Sequence, residues 1–289
     1  MSELFCFGLG YSALHLAHRL QPQGWNIQGT TTTPKGVSVL AREGFEAHVF
    51  DGTAASKDVR PALARATAVL VSAPPDGAGD PVLRHHANDL AAAASLRWIG
   101  YLSTIGVYGD RQGAWVDETS PAQPTAERSE RRLAAEQEWL AFARRTGKRV
   151  QVFRLAGIYG PGRSALDNLR DGLARRIVKP GQVFNRIHVE DIASVLAAGI
   201  AGRGRHEVYN VADDEPAPPQ DVVAFAAQLL GVSPPPEIAL QQAGLSGMAA
   251  SFYGENKRVR NARIKQDLGV ALAYPTYREG LRALAALTE

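Results

Sequence analysis

From residue 4 to residue 154 the chain alternates short apolar runs with helical patterns, and that alternation leaves few folds open. Leu4 to Phe7, Asn26 to Thr30, Ala47 to Phe50, Ala68 to Ser72, Trp98 to Ser103 and Val150 to Arg154 read as strands. Between them Ser12 to Gln21 and Arg131 to Thr146 read as helices, the second with Leu133, Trp139, Leu140 and Ala143 at helical spacing. Parallel strands need a long crossover, and a helix is the usual one. The pattern therefore predicts an α/β chain with a doubly wound parallel sheet and helices on both faces. Val208 to Val211 adds a seventh expected strand.

The chain of 289 residues suits one large domain, or one domain with a small lobe. Pro234-Pro235-Pro236 cannot continue a helix and marks an extended connector. The expected division is a sheet domain over 1–232 and a small C-terminal lobe over 233–289, joined by an insertion at 160–180. Helical patterns at Arg263 to Leu268 and Tyr277 to Leu287 belong to that lobe. The net charge of +3 is small and its signs are interspersed, which argues against nucleic acid as a partner. No apolar run approaches the roughly 18 residues of a membrane span. The first residues read as a strand, not a signal peptide. Cys6 is the only cysteine, so no intramolecular disulfide forms, and a cytoplasmic location is expected.

Gly8-Leu9-Gly10-Tyr11-Ser12-Ala13 fits G-x-G-x-x-A between the first strand and the first helix. Each position has a physical reason. Gly8 permits the tight turn, Gly10 lets backbone approach a pyrophosphate, and Ala13 keeps helix close to strand. The helix start then offers free N–H groups and a positive dipole end, with Tyr11 and Ser12 beside them. This is a Rossmann-type dinucleotide site. Its second strand ends Thr30-Thr31-Thr32-Thr33-Pro34-Lys35, without the carboxylate that would hold a ribose 2′-hydroxyl. Thr31, Thr32 and Lys35 are placed to bind a 2′-phosphate, each charge-assisted bond worth roughly 1.5–3 kcal/mol. NADP is thus favoured, with NAD the alternative. Asp51 is a candidate for the adenine end or a turn cap with Gly52, and Ser72, Ala73 and Pro74 at the end of the fourth strand are assigned to the same ligand.

Four further segments carry a resemblance. They are Ser103 to Asp110, Arg154 to Gly162 with its Tyr159-Gly160-Pro161-Gly162, Arg186 to Ala193 with its Ile187-His188-Val189, and Tyr209-Asn210-Val211. In order and spacing they resemble the extended short-chain dehydrogenase/reductases, the NAD(P)-dependent epimerase/dehydratase family. The resemblance spans nearly the whole chain and implies a nucleotide-binding sheet domain with a substrate lobe. Two departures stand against the family pattern. The first turn is G-x-G-x-x-A rather than G-x-x-G-x-x-G. The Tyr-x-x-x-Lys pair is missing, and Arg128 and Arg132 occupy its positions. Both departures are similar to an atypical, YeeZ-type branch.

In the family that tyrosine exchanges a proton with the substrate oxygen. An arginine stays charged at any relevant pH and cannot be that base. Thr104, Tyr108, Arg132 and Tyr159 are the remaining catalytic candidates. For the tyrosines packing with one hydrogen bond is the competing role; for Arg128 and Arg132 it is a solvated helix face. If both arginines face the site, an anionic ligand is expected there, with Arg132 inside and Arg128 at the mouth. His85, His86 and His188 lack metal-ligand spacing, so no metal is expected. Two functions stay open. One is an oxidoreductase or epimerase with non-standard acid/base groups acting on a carbonyl, hydroxyl or nucleotide-sugar substrate. The other is an inactive NADP(H)-binding or redox-sensing protein. A homodimer is open to such a chain.

Overall fold

The computed structural model describes residues 2–287. Thirteen strands are found there: β1 (Glu3–Phe7), β2 (Asn26–Thr31), β3 (Glu46–Val49), β4 (Ala68–Val71), β5 (Trp98–Thr104), β6 (Trp115–Val116), β7 (Val150–Leu155), β8 (Gly157–Tyr159), β9 (Arg176–Val178), β10 (Arg186–His188), β11 (Val208–Val211), β12 (Glu237–Ala239) and β13 (Arg258–Val259). Eleven α-helices accompany them: α1 (Tyr11–Leu20), α2 (Pro34–Arg42), α3 (Val59–Arg65), α4 (Pro81–Ala92), α5 (Glu127–Thr146), α6 (Ala165–Arg170), α7 (Val189–Ile200), α8 (Pro219–Leu229), α9 (Gly247–Tyr253), α10 (Ala262–Gln266) and α11 (Tyr277–Ala286).

Seven strands form one parallel sheet in the order β11-β7-β5-β4-β1-β2-β3. β4 and most of β5 are buried on both faces, as helices above and below require, whereas β3 lies at the edge and is only partly covered. On one face α1 and α7 bring Leu16, Ala17, Ile192 and Leu196 against the sheet. On the other, α3, α4 and α5 bring Leu63, Leu90, Trp139 and Phe142. The strand order reverses between β1 and β4, and in such sheets ligands bind outside the carboxyl ends of strands at this switch point.

The seven expected sheet strands all form, and each expected helix lies within a few residues of the observed one. α5 runs longer than its apolar spacing implies, starting at Glu127. Glu127 and Glu130 in its first turn and Arg144 and Arg145 in its last complement the helix dipole, which extends a helix that apolar residues alone do not mark.

A separate cluster forms the lobe. Leu166 of α6, Val222 and Ala226 of α8, and Tyr277, Leu281 and Leu284 of α11 pack together with Tyr159. β12 pairs with β9. The chain after Pro236 also returns to the sheet domain. β13 pairs with β6, and Val259, Ile264 and Leu268 join the core under α7.

Candidate cofactor and substrate site

The turn after β1 is built by backbone. Gly8 has φ +86, and a side chain there would place Cβ 2.6 Å from Ser72 Oγ, so this position is closed by both conformation and space. Thr30 Oγ1 accepts from the Gly8 N–H at 2.9 Å, and Ser72 Oγ donates to the Gly8 carbonyl at 2.5 Å, which fixes the turn from both neighbouring strands. Gly10 is different. A Cβ there meets no protein atom within 4 Å. The space beside Gly10 is open, and α1 begins at Gly10 without a capping side chain, so its first amides remain available. Glycine, open space and uncapped amides together fit a pyrophosphate.

Gly10, Tyr11 and Ser12 form one end of a cavity of about 750 Å³ between the sheet and the lobe. Ser72, Ser103, Thr104 and Ser129 line it beside Leu102, Leu155, Ala156 and Ile158, with the Ser72 and Ser103 hydroxyls already donated to the Gly8 carbonyl and to Glu136. Thr104 Oγ1 accepts from the Gly106 N–H at 3.1 Å. Of the residues expected at the dinucleotide, Gly10, Tyr11, Ser12 and Ser72 line this cavity, while Gly8 and Ala13 shape the turn beneath. Thr31, Thr32, Lys35, Asp51, Ala73 and Pro74 lie at or just beyond the carboxyl ends of β2, β3 and β4, outside its lining. Thr32 and Lys35 are exposed. Thr33 caps α2 by accepting from the Gly36 N–H at 3.1 Å. Asp51 has the turn-capping geometry. Its Oδ1 accepts from Thr53 N at 2.9 Å and Thr53 Oγ1 at 2.7 Å, which holds its carboxyl below the usual range.

The catalytic candidates separate. Thr104 and Arg132 line the cavity. Tyr108 does not. It is fully buried, donates to Asn210 Oδ1 at 2.8 Å, and accepts from Arg154 Nη1 at 3.0 Å; burial raises its pKa. The same Arg154 donates from Nη2 to Glu136 Oε2 at 2.7 Å, and Ser103 Oγ also donates to Glu136. Tyr108 is thus part of a buried polar network under the site, and the expectation that it borders substrate is corrected by that network. Tyr159 touches the cavity, but its hydroxyl is directed to the Thr276 carbonyl at 3.4 Å and burial raises its pKa well above a free phenol's. Its hydroxyl serves the lobe.

Arg128 and Arg132 both line the cavity. Arg132 is half-buried, donates from Nη1 to the Leu102 carbonyl, and lies 5.7 Å from the Tyr101 ring centroid. Arg128 is exposed at the mouth, its guanidinium 4.2 Å from the Phe252 ring centroid of α9. Three further cations complete the lining, Arg163, Arg186 and Lys257, and only Glu255 is acidic. Glu255 is already engaged, with Lys257 Nζ at 2.5 Å and Thr125 Oγ1 at 2.7 Å. Lys257 is buried and Arg186 half-buried, and burial lowers the pKa of each. Sequence reasoning missed Ser129, Arg163, Lys257, Phe252 and Tyr253. Arg163 stands one residue beyond Gly160-Pro161-Gly162 and was within reach of that motif. The α9–β13 residues had no local signal, because contacts remote in sequence bring them in: β13 pairs with β6, Lys179 Nζ donates to the Tyr253 carbonyl, and Asn185 Nδ2 donates to the Lys257 carbonyl at 2.9 Å.

His85, His86 and His188 have other work. His85 Nε2 meets the Gly52 carbonyl at 3.0 Å, His86 Nδ1 meets Asp89 Oδ2 at 2.9 Å, and His188 Nδ1 caps α7 by accepting from the Glu190 N–H at 3.2 Å. Among the described residues no group of three or more His, Cys, Asp or Glu is placed to hold a metal ion, and no helix is long and apolar enough to cross a membrane.

A model of the NAD dependent epimerase/dehydratase family matches residues 8–212. The chain belongs to that family. Protein YeeZ of Escherichia coli strain K12 is 28% identical over 298 residues, covering 95% of this chain and 97% of YeeZ. A functionally unknown conserved protein from Silicibacter pomeroyi DSS is 52% identical, with a TM-score of 0.90 and all of both chains covered. The UDP-glucuronic acid 4-epimerase of Bacillus cereus, solved in complex with NAD, shares the fold at 17% identity, with a TM-score of 0.76 over 99% of this chain and 96% of that one. The family match runs from the turn after β1 to just past β11.

Proposed function

We propose that the protein binds NADP(H) across the carboxyl ends of β1, β2 and β4 and acts as an oxidoreductase or epimerase on a small molecule held in the cavity between sheet and lobe. The observation that carries this reading is the uncapped start of α1 beside the open space at Gly10, opening directly into that cavity. Gly10, Tyr11 and Ser12 would hold the pyrophosphate, and Thr104 and Arg132 would border the nicotinamide ribose. When bound, the nicotinamide supplies or accepts hydride. NADP is preferred to NAD because β2 ends without a carboxylate, the first turn of α2 has no acidic residue, and Lys35 is exposed beside it.

The chain's own residues then have to orient the substrate oxygen and move its proton. Thr104 at the end of β5 and Ser129 of α5 are the hydroxyl residues beside the arginines that line the cavity. For the proton we assign Tyr253. Tyr11 and Tyr159, the other cavity phenols, spend their hydroxyls on the carbonyls of Pro161 and Thr276. Tyr253 lines the same cavity, and among the described residues its hydroxyl makes no hydrogen bond to protein. Burial raises its pKa above a free phenol's, which keeps it a proton donor, and the nearby Arg186 and Arg175 offset only part of that rise.

The second reading, binding without turnover, is supported by the expectation that Arg128 and Arg132 stand where the family carries its proton-transfer pair. The experiment that separates the two starts with titration of NADPH and NADH by fluorescence. A turnover screen over carbonyl, hydroxy-acid and nucleotide-sugar substrates follows. Tight NADPH binding with turnover that falls roughly 10²–10⁴-fold in Tyr253→Phe supports the enzyme. Tight binding with no turnover supports the sensor. No binding of either dinucleotide sinks both.

A further inference from the structure

The charge of the cavity is only partly balanced by protein, with buried Asp213 near Arg186. Arg128, Arg132, Arg163, Arg186 and Lys257 face it, and its one carboxylate, Glu255, is held by Lys257 and Thr125. Among the described residues none of the four arginines forms an ion pair with a carboxylate within 4 Å, although sixteen ion pairs, histidines included, are made outside the cavity. Cations lining a partly desolvated space without anions are costly, and a site that keeps them is built for anionic ligand groups. A pyrophosphate at Gly10 to Ser12 meets only one end of this charge. Arg128 and Arg132 stand one helical turn apart on α5, flanking Ser129 in sequence, and both line the cavity.

We propose that Arg128 and Arg132 form a recognition site for a carboxylate carried by the substrate close to its reacting carbon. The inference rests on the reading above, because the dinucleotide's place at Gly10 makes the Thr104 region the reacting end. The positions differ in a useful way. Arg132 is half-buried and anchored on the Leu102 carbonyl, with N–H groups left over for a ligand. Its surroundings, Tyr101, Leu102 and Leu155, are apolar or aromatic. A planar guanidinium edge in an apolar wall matches the two coplanar oxygens of a carboxylate. Arg128 is exposed and rests on Phe252, so it can leave that ring and close over an acid already seated on Arg132. The substrate class is therefore a small hydroxy or oxo acid, or a sugar acid, rather than a neutral carbonyl compound.

The test uses the full chain, with oxalate as probe, oxamide as its neutral counterpart and inorganic phosphate as the competing anion. NADPH affinity is measured first on each protein, and calorimetric titrations follow with and without NADPH at constant ionic strength. Oxalate is expected to bind saturably to the wild type, oxamide not at all, and phosphate more weakly than oxalate. Arg132→Gln and Arg128→Gln should each weaken oxalate about tenfold or more, as loss of a charge-assisted pair requires. Arg144→Gln on the last turn of the same helix should change nothing. Arg132→Lys, which keeps charge and stem but loses the planar edge, should recover only part of the affinity, and should fold where the glutamine variant does not. Failure of the wild type to bind oxalate, unchanged affinity in both glutamine variants, or tighter phosphate than oxalate overturns the proposal. Oxalate binding with these variant effects but without NADPH binding would uphold the anion site and remove the dinucleotide reading.

Discussion

The two ends of the cavity are made of different material. At Gly8 to Ser12 the site is backbone: a left-handed glycine, an open glycine and the uncapped amides of α1. Away from that turn it is side chain: three arginines, a lysine and a phenol drawn from α5, β10 and the segment around α9, while Arg163 lies over the Tyr11 ring at the backbone end. Backbone recognition serves a ligand part that is the same in many proteins, because a pyrophosphate asks only for N–H groups and room. Side-chain recognition is where one member of a fold family differs from another. Here Arg128 and Arg132 are among the side chains that line the cavity, so the individual end carries permanent cations.

The largest expected effect tests whether the two ends rest on one support. Glu136 is buried against Arg154 and Ser103 beneath the floor of the cavity. Glu136→Ala leaves Arg154 buried without its partner and should cost about 3–5 kcal/mol of stability, read from urea unfolding. A loss below roughly 1 kcal/mol would mean that water or rearrangement replaces the pair. Next comes the backbone end itself. Gly10→Val should weaken NADPH on the order of 100-fold, about 2.7 kcal/mol, while circular dichroism and melting stay near wild type. Gly8→Ala should do the reverse. It forces a side chain to φ +86 against Ser72, costing roughly 1–3 kcal/mol of fold stability. Equal damage from the two variants would break the division between a glycine kept for ligand and one kept for turn.

Lys35→Ala sharpens the cofactor end. Loss of one charge-assisted contact should weaken NADPH by about tenfold and leave NADH unchanged, narrowing the preference measured by calorimetry. Equal or tighter NADH in the wild type sinks the NADP reading. The smallest effect is a pH dependence. His188 is buried between Tyr159 and Tyr274, its Nε2 has no partner among the described residues, and burial holds its pKa down at about 4 from an ordinary 6.5. Because the folded value is the lower one, the unfolded chain takes up the proton first. The contribution is present above about pH 6.5 and is lost as pH falls toward 4. His188→Asn keeps a capping side chain for α7 and removes the titration, so its unfolding midpoint should fall less between pH 7 and pH 4.5. Parallel slopes in both proteins would exclude His188 as the source.

The sheet was legible because its determinants are local. Each strand is a short apolar run, each crossover a helical period, and parallel pairing follows from their alternation. The glycine turn was legible for the same reason, since three spaced positions and two flanking elements define it. The far end was not. Tyr108 sits in a segment that resembles a site border, yet Arg154 and Asn210, remote in sequence, draw its hydroxyl into a buried network. Tyr253 and Lys257 carry no motif and reach the cavity only through tertiary pairing. Asp51 was left between two roles, and the hydrogen bonds to Thr53 satisfy the local one.

The pairing of β13 with β6 also orders events in time. Arg258 lies opposite Trp115, so the strand that seats Lys257 docks onto a partner from the first half of the chain. Synthesis proceeds from the N-terminus, and Gly8 to Ser12 with its sheet neighbours leaves the ribosome long before residue 257. A growing chain therefore passes through a stage in which the dinucleotide end can assemble while the substrate end is still incomplete. Cofactor captured at that stage would stabilise the nascent sheet by mass action, and the last segment would then close the cavity over a ligand already in place.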